Sequence, residues 1–477
     1  MPSPRLRLAF SAATAAILML SSSGGSTHAA ADPATSGILA RIIGEEAVSQ
    51  GAYNKLAYLT DRIGARLTGS PNAASAVTWA TQEFHRDGLQ VTTEKVMVPH
   101  WVRGEEAASI LSPISRRLVI TALGMSIPTP EDGIEGEIIE AGSFDELHAL
   151  GEKVRGKIVL YYRTMQRHPE GDDYGPGANL RYRGAVEAAK LGAVATLIRS
   201  VGTLSARLPH TGTHAYEDGV DKIPAAALAA EDADLIHRLL ASGDKVRVKM
   251  LLGCRILPDT ESANVIAELK GRLSPEQFVV IGGHLDSWDL GTGAIDDGAG
   301  VAVSMEALRI LKKLKVRPQR TIRAVLFMNE ENGNRGGKAY ADAHQNELTR
   351  HVAAIESDGG AGSPLGFGLT AGDGALARVA ALAQALRSVG SAQDVKAGGG
   401  GVDIGPMRLA GVPLLSLRQD MTYYFDYHHT AADTLDKVDR RDLADNAVAM
   451  AYMALALANL EPPLARIPED QRHEAER

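Results

Sequence analysis

The sequence predicts an α/β protein whose main domain is built on a mostly parallel sheet flanked by helices on both faces. One observation is the second half of the chain, where β-rich runs at 278–281, 321–328, 351–355 and 412–417 alternate with helical patterns. A second is a change near residue 130, after which short apolar runs alternate with alanine-rich helical stretches as far as residue 255. This stretch predicts a smaller α/β domain inserted into the main one.

The order of the elements gives the domain boundaries. Residues 42–63 and 73–88 carry apolar residues at helical spacing, and residues 90–102 alternate as a strand does. Prolines and glycines from about residue 127 mark a linker, and residues 443–460 predict a long closing helix. We therefore assign residues 1–31 to a signal peptide, 32–129 and 256–464 to the main domain, 130–255 to the inserted domain and 465–477 to a charged tail.

The first 31 residues have the pattern of a secretory signal. Arg5 and Arg7 form a basic start, residues 8–20 are apolar, and Ala29 to Ala31 offer a small-residue cleavage site. The apolar stretch is too short for a stable membrane span. We expect a secreted or periplasmic protein with no stable membrane span once the signal is removed.

The composition narrows the class of protein and of partner. A chain of 477 residues with 45% hydrophobic and 23% charged residues is typical of a globular protein with more than one core. The formal net charge of -8 provides no basic surface for nucleic acid. The single cysteine, Cys254, cannot form an intrachain disulfide, and its apolar neighbours predict a buried strand end.

Residues that can bind a metal follow the predicted strands. His284 ends the first of them, and Asp286, two residues on, is placed to hold its second ring nitrogen. Asp296 lies in a glycine-rich turn before a helix that Asp297 is expected to cap. The remaining candidates at strand ends are Glu330 and Glu331, Asp358, and the pair His428 and His429.

This set contains imidazoles and carboxylates but no thiolate, and zinc accepts such ligands. Two metals would share Asp296. One would also take His284 and Asp358, and the other Glu331 and His429. Glu330 would then be the general base toward a bridging water, because adjacent residues at a strand end point in opposite directions.

These residues stand in motifs that resemble peptidase family M28, the co-catalytic zinc aminopeptidases and carboxypeptidases. The motifs are His284-Leu285-Asp286, Asp296-Asp297-Gly298, Asn329 to Gly333, Glu356 to Gly360 and Tyr427 to Leu435, and the resemblance covers about residues 40–460. It implies the zinc exopeptidase fold, two Zn²⁺ per chain in the ligand set above, Asp286 as the orienting acid and Glu330 as the base. It favours His429 over His428 as the ligand, and it hints at a homodimer.

Two weaker resemblances concern the surroundings of the site. The stretches Gly156 to Val159, Ala188 to Ala193 and Ile223 to Ala226 resemble the protease-associated domain of exported peptidases. The loop Gly399 to Pro406 resembles a family loop beside the substrate, where Asp403 could meet a free α-amine, although a plain loop explains it equally well. Like Asp403, His428 is a candidate for contact with the substrate.

We therefore predict a secreted dizinc exopeptidase that hydrolyses short peptides or dipeptides. Carboxypeptidase or dipeptidase activity and aminopeptidase activity both remain open. Peptidase family M20 uses similar ligands, but its extra domain follows the Glu-Glu motif, whereas here the insertion precedes His284. A single-zinc glutaminyl cyclase shares the fold but lacks the full ligand set. A non-catalytic, receptor-like binding ectodomain is the remaining alternative, and the loss of Glu330 or Asp296 would have favoured it.

Overall fold

A computed structural model describes residues 33–473, with side chains from residue 37. The predicted signal peptide, 1–31, lies outside the described residues, as do residues 474–477. Within the described part, no helix has the length and apolar character needed to cross a membrane.

The described residues form sixteen strands and eleven α-helices. The strands are β1 (Gln90–Val102), β2 (Glu106–Ser112), β3 (Arg116–Leu118), β4 (Ile120–Ala122), β5 (Ile134–Ala141), β6 (Ile158–Tyr161), β7 (Ala195–Arg199), β8 (Ala225–Leu228), β9 (Arg247–Leu252), β10 (Arg255–Leu269), β11 (Ser274–His284), β12 (Arg320–Phe327), β13 (His351–Glu356), β14 (Pro364–Thr370), β15 (Asp394–Ala397) and β16 (Leu414–Gln419). The helices are α1 (Pro33–Ser49), α2 (Gly51–Tyr58), α3 (Pro71–Arg86), α4 (Phe144–Leu150), α5 (Tyr174–Lys190), α6 (Ala230–Ala241), α7 (Ala299–Lys313), α8 (Arg335–Ala343), α9 (Ala375–Ala383), α10 (Tyr424–Tyr427) and α11 (Arg440–Asn459).

The main domain is built on an eight-stranded sheet in the order β1-β10-β12-β11-β13-β16-β14-β15. Its central strands β12, β11, β13 and β16 are parallel, as predicted, and antiparallel pairs occur only toward the edges. Strands β11 and β12 are buried over most of their length because helices cover both faces. Helices α7 and α11 supply much of the core on one face.

The inserted domain has its own eight-stranded sheet, in the order β3-β2-β9-β5-β6-β7-β8-β4. Strands β5 to β8 are parallel, whereas β4 pairs with β8 and β2 with β9 in the antiparallel sense. The expected range 130–255 therefore leaves out β2, β3 and β4, which belong to the same sheet. β2 and β4 pair with strands more than 100 residues further along the chain, and β3 is joined to the sheet through β2, so local pattern does not assign them to it.

A two-stranded crossing joins the two sheets. β1 pairs with β10 up to Val102 and Arg255, and immediately beyond it β2 begins to pair with β9 at Glu106 and Leu252. Between them Gly104 packs against Gly253, where an added Cβ would stand 2.1 Å from a carbonyl oxygen. Only glycine fits this approach, so the chain enters and leaves the inserted domain side by side.

Two predicted elements differ from the structure. The helix expected over 42–63 is broken at Gln50, whose φ of 50° is left-handed, into α1, α2 and a wider turn at Leu59–Ile63. The charged tail expected from residue 465 begins as packed chain: Ile467 is fully buried, and the Arg466 guanidinium donates to four backbone carbonyls. The burial of Ile467 and the hydrogen bonds of Arg466 hold this segment against the main domain, although its composition is charged.

Candidate metal centre

Three neighbouring parallel strands place ligand candidates at one edge of the main sheet. His284 is the last residue of β11, Glu330 and Glu331 follow β12, and Asp358 follows β13. The carboxyl ends of parallel strands meet at a common edge, which is where open α/β sheets build binding sites. His284 and Asp358 meet at this edge, and Glu331 meets His429 there.

Asp296 reaches the centre from the turn Ala294–Gly298, which precedes α7. The turn is held from two directions. Asp433 accepts hydrogen bonds from the N–H groups of Ala294 and Ile295 at 2.8 and 2.7 Å. The fully buried Arg66 donates to the carbonyls of Leu285, Thr292 and Gly293 at 2.6, 2.6 and 2.9 Å. Sequence reasoning gave neither residue a role.

Asp297, the next residue, fastens the turn to the end of β11. One of its carboxylate oxygens accepts from the His284 N–H at 3.1 Å, and the other from the Gly300 N–H at 2.9 Å. The second contact satisfies a free N–H in the first turn of α7. Asp297 therefore caps the helix as predicted, although the N-cap position itself is occupied by the next residue, Gly298.

The two oxygens of Asp296 face opposite groups of ligands. Oδ1 lies 3.1 Å from His284 Nε2, which is itself 3.5 Å from Asp358 Oδ1. Oδ2 lies 3.1 Å from His429 Nε2, which is 3.2 Å from Glu331 Oε2. A carboxylate with one oxygen in each group has the arrangement needed to bridge two metal ions.

His428 and His429 stack with ring centroids 3.5 Å apart, and both approach Asp296 Oδ2. His428 Nε2 is 3.4 Å from that oxygen, compared with 3.1 Å for His429. Only His429 also contacts Glu331. It does so from a left-handed backbone with φ of 62°, a conformation that costs a non-glycine residue energy and that is concentrated at functional sites. The geometry therefore favours His429 as the ligand.

Asp286 holds the carboxylate segment rather than the histidine. Its oxygens accept from the N–H groups of Asn329, Glu330 and Glu331 at 2.7, 3.1 and 3.3 Å. The predicted contact from its carboxylate to His284 Nδ1 is 3.9 Å long, beyond hydrogen-bond distance. The Asp286 carbonyl oxygen takes that place at 3.0 Å. The backbone of Asp286, rather than its side chain, therefore orients the His284 ring.

The centre carries a surplus of buried negative charge. Burial raises the pKa of Glu331 well above its usual range, and the neighbouring Asp296 adds to this. Burial also raises the pKa of Glu330 to about 8; His284 opposes the shift and Asp358 reinforces it. Carboxyl groups buried this close together, here those of Asp296, Glu330, Glu331 and Asp358, are stable as anions only beside cations. Two imidazoles with these carboxylates form a donor set that fits zinc.

Comparison with known proteins identifies the family. The model described as Peptidase family M28 matches residues 264–454, which include the whole ligand set. Carboxypeptidase Q of Mus musculus is 40% identical over 416 residues, which is 87% of both chains. The crystal structure of a peptidase M28 precursor from Shewanella amazonensis SB2B has 42% identity and a TM-score of 0.88, covering 91% of this chain and 99% of that one.

The chain belongs to peptidase family M28. The human carboxypeptidase Q gives the same values as the mouse protein, 40% identity over 87% of each chain. An aminopeptidase from Aneurinibacillus sp. strain AM-1 has the same fold at 23% identity, with a TM-score of 0.63 over 90% of this chain and 98% of that one. The predicted fold class and the predicted peptidase family are thus confirmed.

The inserted domain contacts the M28 centre directly. The Thr211 N–H donates to the carbonyl of His429 at 2.9 Å, and His429 Nδ1 lies 3.2 Å from the Thr211 carbonyl oxygen. A carbonyl only accepts, so Nδ1 carries the proton and Nε2 is left free to bind a metal. The neighbouring histidines His210 and His214 are also buried.

Arg103, at the crossing between the sheets, connects this contact to the main domain. It makes a two-pronged ion pair with Asp289 at 2.7 and 2.8 Å and also binds Glu106 at 2.9 Å. Its Nη2 lies 3.3 Å from Thr211 Oγ1. The backbone N–H of Trp288, next to Asp289, donates to Glu331 Oε1 at 3.1 Å. The inserted domain is therefore part of the surroundings that hold the candidate ligands in place.

A cleft of about 350 Å³ opens beside Asp358 and is lined by both domains. Glu170 of the inserted domain pairs across it with Arg418 and Lys396, at 2.6 and 2.9 Å. Asp403 lies behind the glycine loop, fully buried, and does not line the cleft. Its backbone N–H donates to Glu356 at 3.1 Å. Contact of Asp403 with a substrate amine therefore stays a prediction.

Proposed function

We propose that this chain is a dizinc exopeptidase that hydrolyses short peptides, with Glu330 as the general base. The observation that carries the proposal is the division of Asp296, whose Oδ1 faces His284 and whose Oδ2 faces His429. The donor set fits two zinc ions that share this carboxylate. His284 and Asp358 would complete one site, and Glu331 and His429 the other.

When bound, a zinc pair would polarise the scissile carbonyl and lower the pKa of the attacking water. Glu330 stands outside both ligand groups, and its backbone is fixed by the hydrogen bond from its N–H to Asp286 at 3.1 Å. Its carboxylate takes the proton from the water and passes it to the leaving amine. Asp286 acts only by positioning, since it holds the backbone of Glu330 and of Glu331 together.

The size of the cleft supports a small substrate. About 350 Å³ is the volume of a typical small-molecule site, and the inserted domain closes one side of it. The carboxypeptidase Q relatives support release of the C-terminal residue, which makes carboxypeptidase or dipeptidase activity our choice over aminopeptidase activity. The basic, apolar and small-residue pattern of residues 1–31 supports export, and a homodimer stays a prediction from the family resemblance.

The test is metal analysis of the purified mature protein together with hydrolysis of free dipeptides, amino-blocked dipeptides and aminoacyl anilides. We expect two zinc ions per chain and turnover that falls at least about 10³-fold in Glu330→Gln with both zinc ions retained, because the base is lost and the ligands are not. Glu276→Gln, an exposed glutamate at the start of β11, is the matched control.

Two outcomes would contradict the proposal. Protein that stays inactive on all three substrate classes after zinc is restored would favour the binding ectodomain. Activity that survives Glu330→Gln with zinc bound would remove Glu330 from the mechanism. Preference among the substrates then decides the terminus that is read, since amino-blocked dipeptides lack a free amine and anilides lack a free carboxylate.

A further inference from the structure

The segment 64–70, which leads into α3, places one buried hydroxyl beside the candidate metal centre. Thr68 is 1% exposed. Its Oγ1 donates to Asn332 Oδ1 at 2.9 Å, since a hydroxyl has one proton and its other acceptor, the Pro99 carbonyl, is more distant at 3.2 Å. The same Oγ1 accepts from Asn329 Nδ2 at 3.3 Å. Thr68 therefore connects two asparagines that lie 261 and 264 residues further along the chain.

The two asparagines stand on either side of the pair Glu330 and Glu331. Both are buried, and Asn329 Nδ2 also donates directly to Asn332 Oδ1. Thr68, Asn329 and Asn332 thus form a closed ring of hydrogen bonds, which we call the asparagine clasp. Asn329 has a left-handed backbone with φ of 74°, a conformation that persists in a residue other than glycine only when surrounding contacts stabilise it. The clasp supplies such contacts and fixes both ends of the segment that carries the base.

The carboxylate of Glu330 depends on its backbone for its direction. Within the described chain the hydrogen bonds of Glu330 are all made by its backbone: its N–H donates to Asp286 at 3.1 Å, and its carbonyl accepts from the Gly333 N–H at 3.4 Å. Glu331 differs, because its Oε1 accepts from the backbone N–H of Trp288 at 3.1 Å. Loss of the clasp should therefore displace the base and leave the neighbouring metal ligand in place.

We propose that Thr68 is a positioning residue for the general base, which holds the backbone on both sides of Glu330 through the asparagine clasp. The inference rests on the proposed function and adds to it a residue from a segment that contributes no ligand. Proton transfer requires the base to lie within hydrogen-bond distance of the water, and a misplacement of about 1 Å can cost about 100-fold in rate. Asp286 holds the backbone N–H groups of this segment, whereas the clasp holds the side chains that flank the base.

The first test removes the hydroxyl and keeps the shape of the side chain. In Thr68→Val we expect kcat for a free dipeptide to fall about 10–100-fold, while KM changes less than about twofold and both zinc ions are retained, because the base moves and the ligands do not. Thr68→Ser keeps the hydroxyl and should restore kcat to within about threefold of wild type. Thr78→Val is the matched control: Thr78 is exposed on α3, and its hydroxyl bonds the Ala74 carbonyl of the same helix at 3.0 Å.

A double-mutant cycle separates action through Glu330 from a general effect on the fold. Glu330→Gln already removes the proton acceptor, so adding Thr68→Val should lower the residual rate less than about twofold. An unchanged kcat in Thr68→Val, an equal loss in both backgrounds, or a loss accompanied by loss of zinc would overturn the inference. Thr68→Ala removes the same hydroxyl with less bulk and carries the same expectations, so a folding defect caused by valine does not decide the result.

Hydrogen exchange tests the clasp in a way that does not depend on turnover. In the zinc-loaded protein, the amides of residues 329–333 should exchange about 5–10-fold faster in Thr68→Val, as expected for the loss of one hydrogen bond, while those of β11 stay unchanged. Faster exchange there, in a protein that Glu330→Gln does not slow down, would uphold the clasp and refute Glu330 as the base. Unchanged exchange and kcat in Thr68→Val, in a protein that Glu330→Gln inactivates, would refute the inference and leave the proposed function intact.

Discussion

Asp286→Asn tests the role that the structure gives to Asp286. The carboxylate accepts three N–H groups, two at Oδ1 and one, from Glu331, at Oδ2. Asparagine keeps the two shorter bonds by leaving its oxygen at the Oδ1 position. Its amide nitrogen then faces the Glu331 N–H at the 3.3 Å position, donor against donor. The loss of one hydrogen bond to a charged acceptor is worth about 1.5–3 kcal/mol, which corresponds to about 10–100-fold in affinity.

This loss should fall on one metal site only. In the proposed pair of sites Glu331 shares one site with His429, which it contacts. His284 is oriented by the backbone carbonyl of residue 286, which asparagine retains. We therefore expect zinc affinity to fall about 10–100-fold at the Glu331 site and less than about threefold at the His284 site. Competition with a chromophoric chelator measures each site separately in the backgrounds His284→Ala and His429→Ala.

The opposite selectivity would refute the reasoning. If Asp286→Asn weakened the site that contains His284 and left the Glu331 site intact, the carboxylate would orient the histidine across a gap that the structure makes 3.9 Å long. Unchanged affinity at both sites would reduce Asp286 to a role in folding. Asp342→Asn, an exposed aspartate in α8, serves as the control.

Two other predictions concern stability. Arg66→Lys should lower the free energy of unfolding by about 2–4 kcal/mol in chemical denaturation, because a lysine cannot reach all three carbonyls; an unchanged value would contradict the role of Arg66 in holding the turn. Burial, with Glu306 adding to it, raises the pKa of Glu46 from 4.5 to about 8. The folded protein thus keeps a proton that the unfolded chain loses above pH 4.5, and stability falls as pH rises from about 5 to 8. In Glu46→Gln the thermal midpoint should fall less between these pH values, whereas an equal fall would place the titration elsewhere.

Sequence reasoning could place the candidate ligands at one edge of the sheet because they follow a local rule. Each of His284, Glu331 and Asp358 comes directly after an apolar run, and parallel strands bring such positions to one edge. The supporting contacts have no local signature. Thr211 meets His429 across 218 residues, and Arg66 reaches Gly293 across 227. Any residue type can present a backbone carbonyl that accepts a hydrogen bond, as Asp286 and Thr211 do, so such a contact cannot be recognised from the sequence.

The domain boundary was missed for a related reason. Strands β3 and β4 have three residues each, which is too short for a recognisable strand pattern. Only their pairing with β2 and β8 shows that they belong to the sheet of the inserted domain. The break at Gln50 depends on a left-handed residue that is not glycine, and helical spacing continues on both sides of it. Periodicity reports which face of an element is buried but not where the backbone turns.

The paired crossing at Gly104 and Gly253 makes the insertion modular. Val102 and Arg255 face each other across one ladder, at the separation that a tight turn closes, so the host sheet is complete without the chain between them. The residues assigned to metal binding and proton transfer lie outside that interval, while Thr211, which contacts His429, lies inside it. A different insert on the same two strands would therefore have to supply the carbonyl that Thr211 presents to His429, or the orientation of that histidine would be lost.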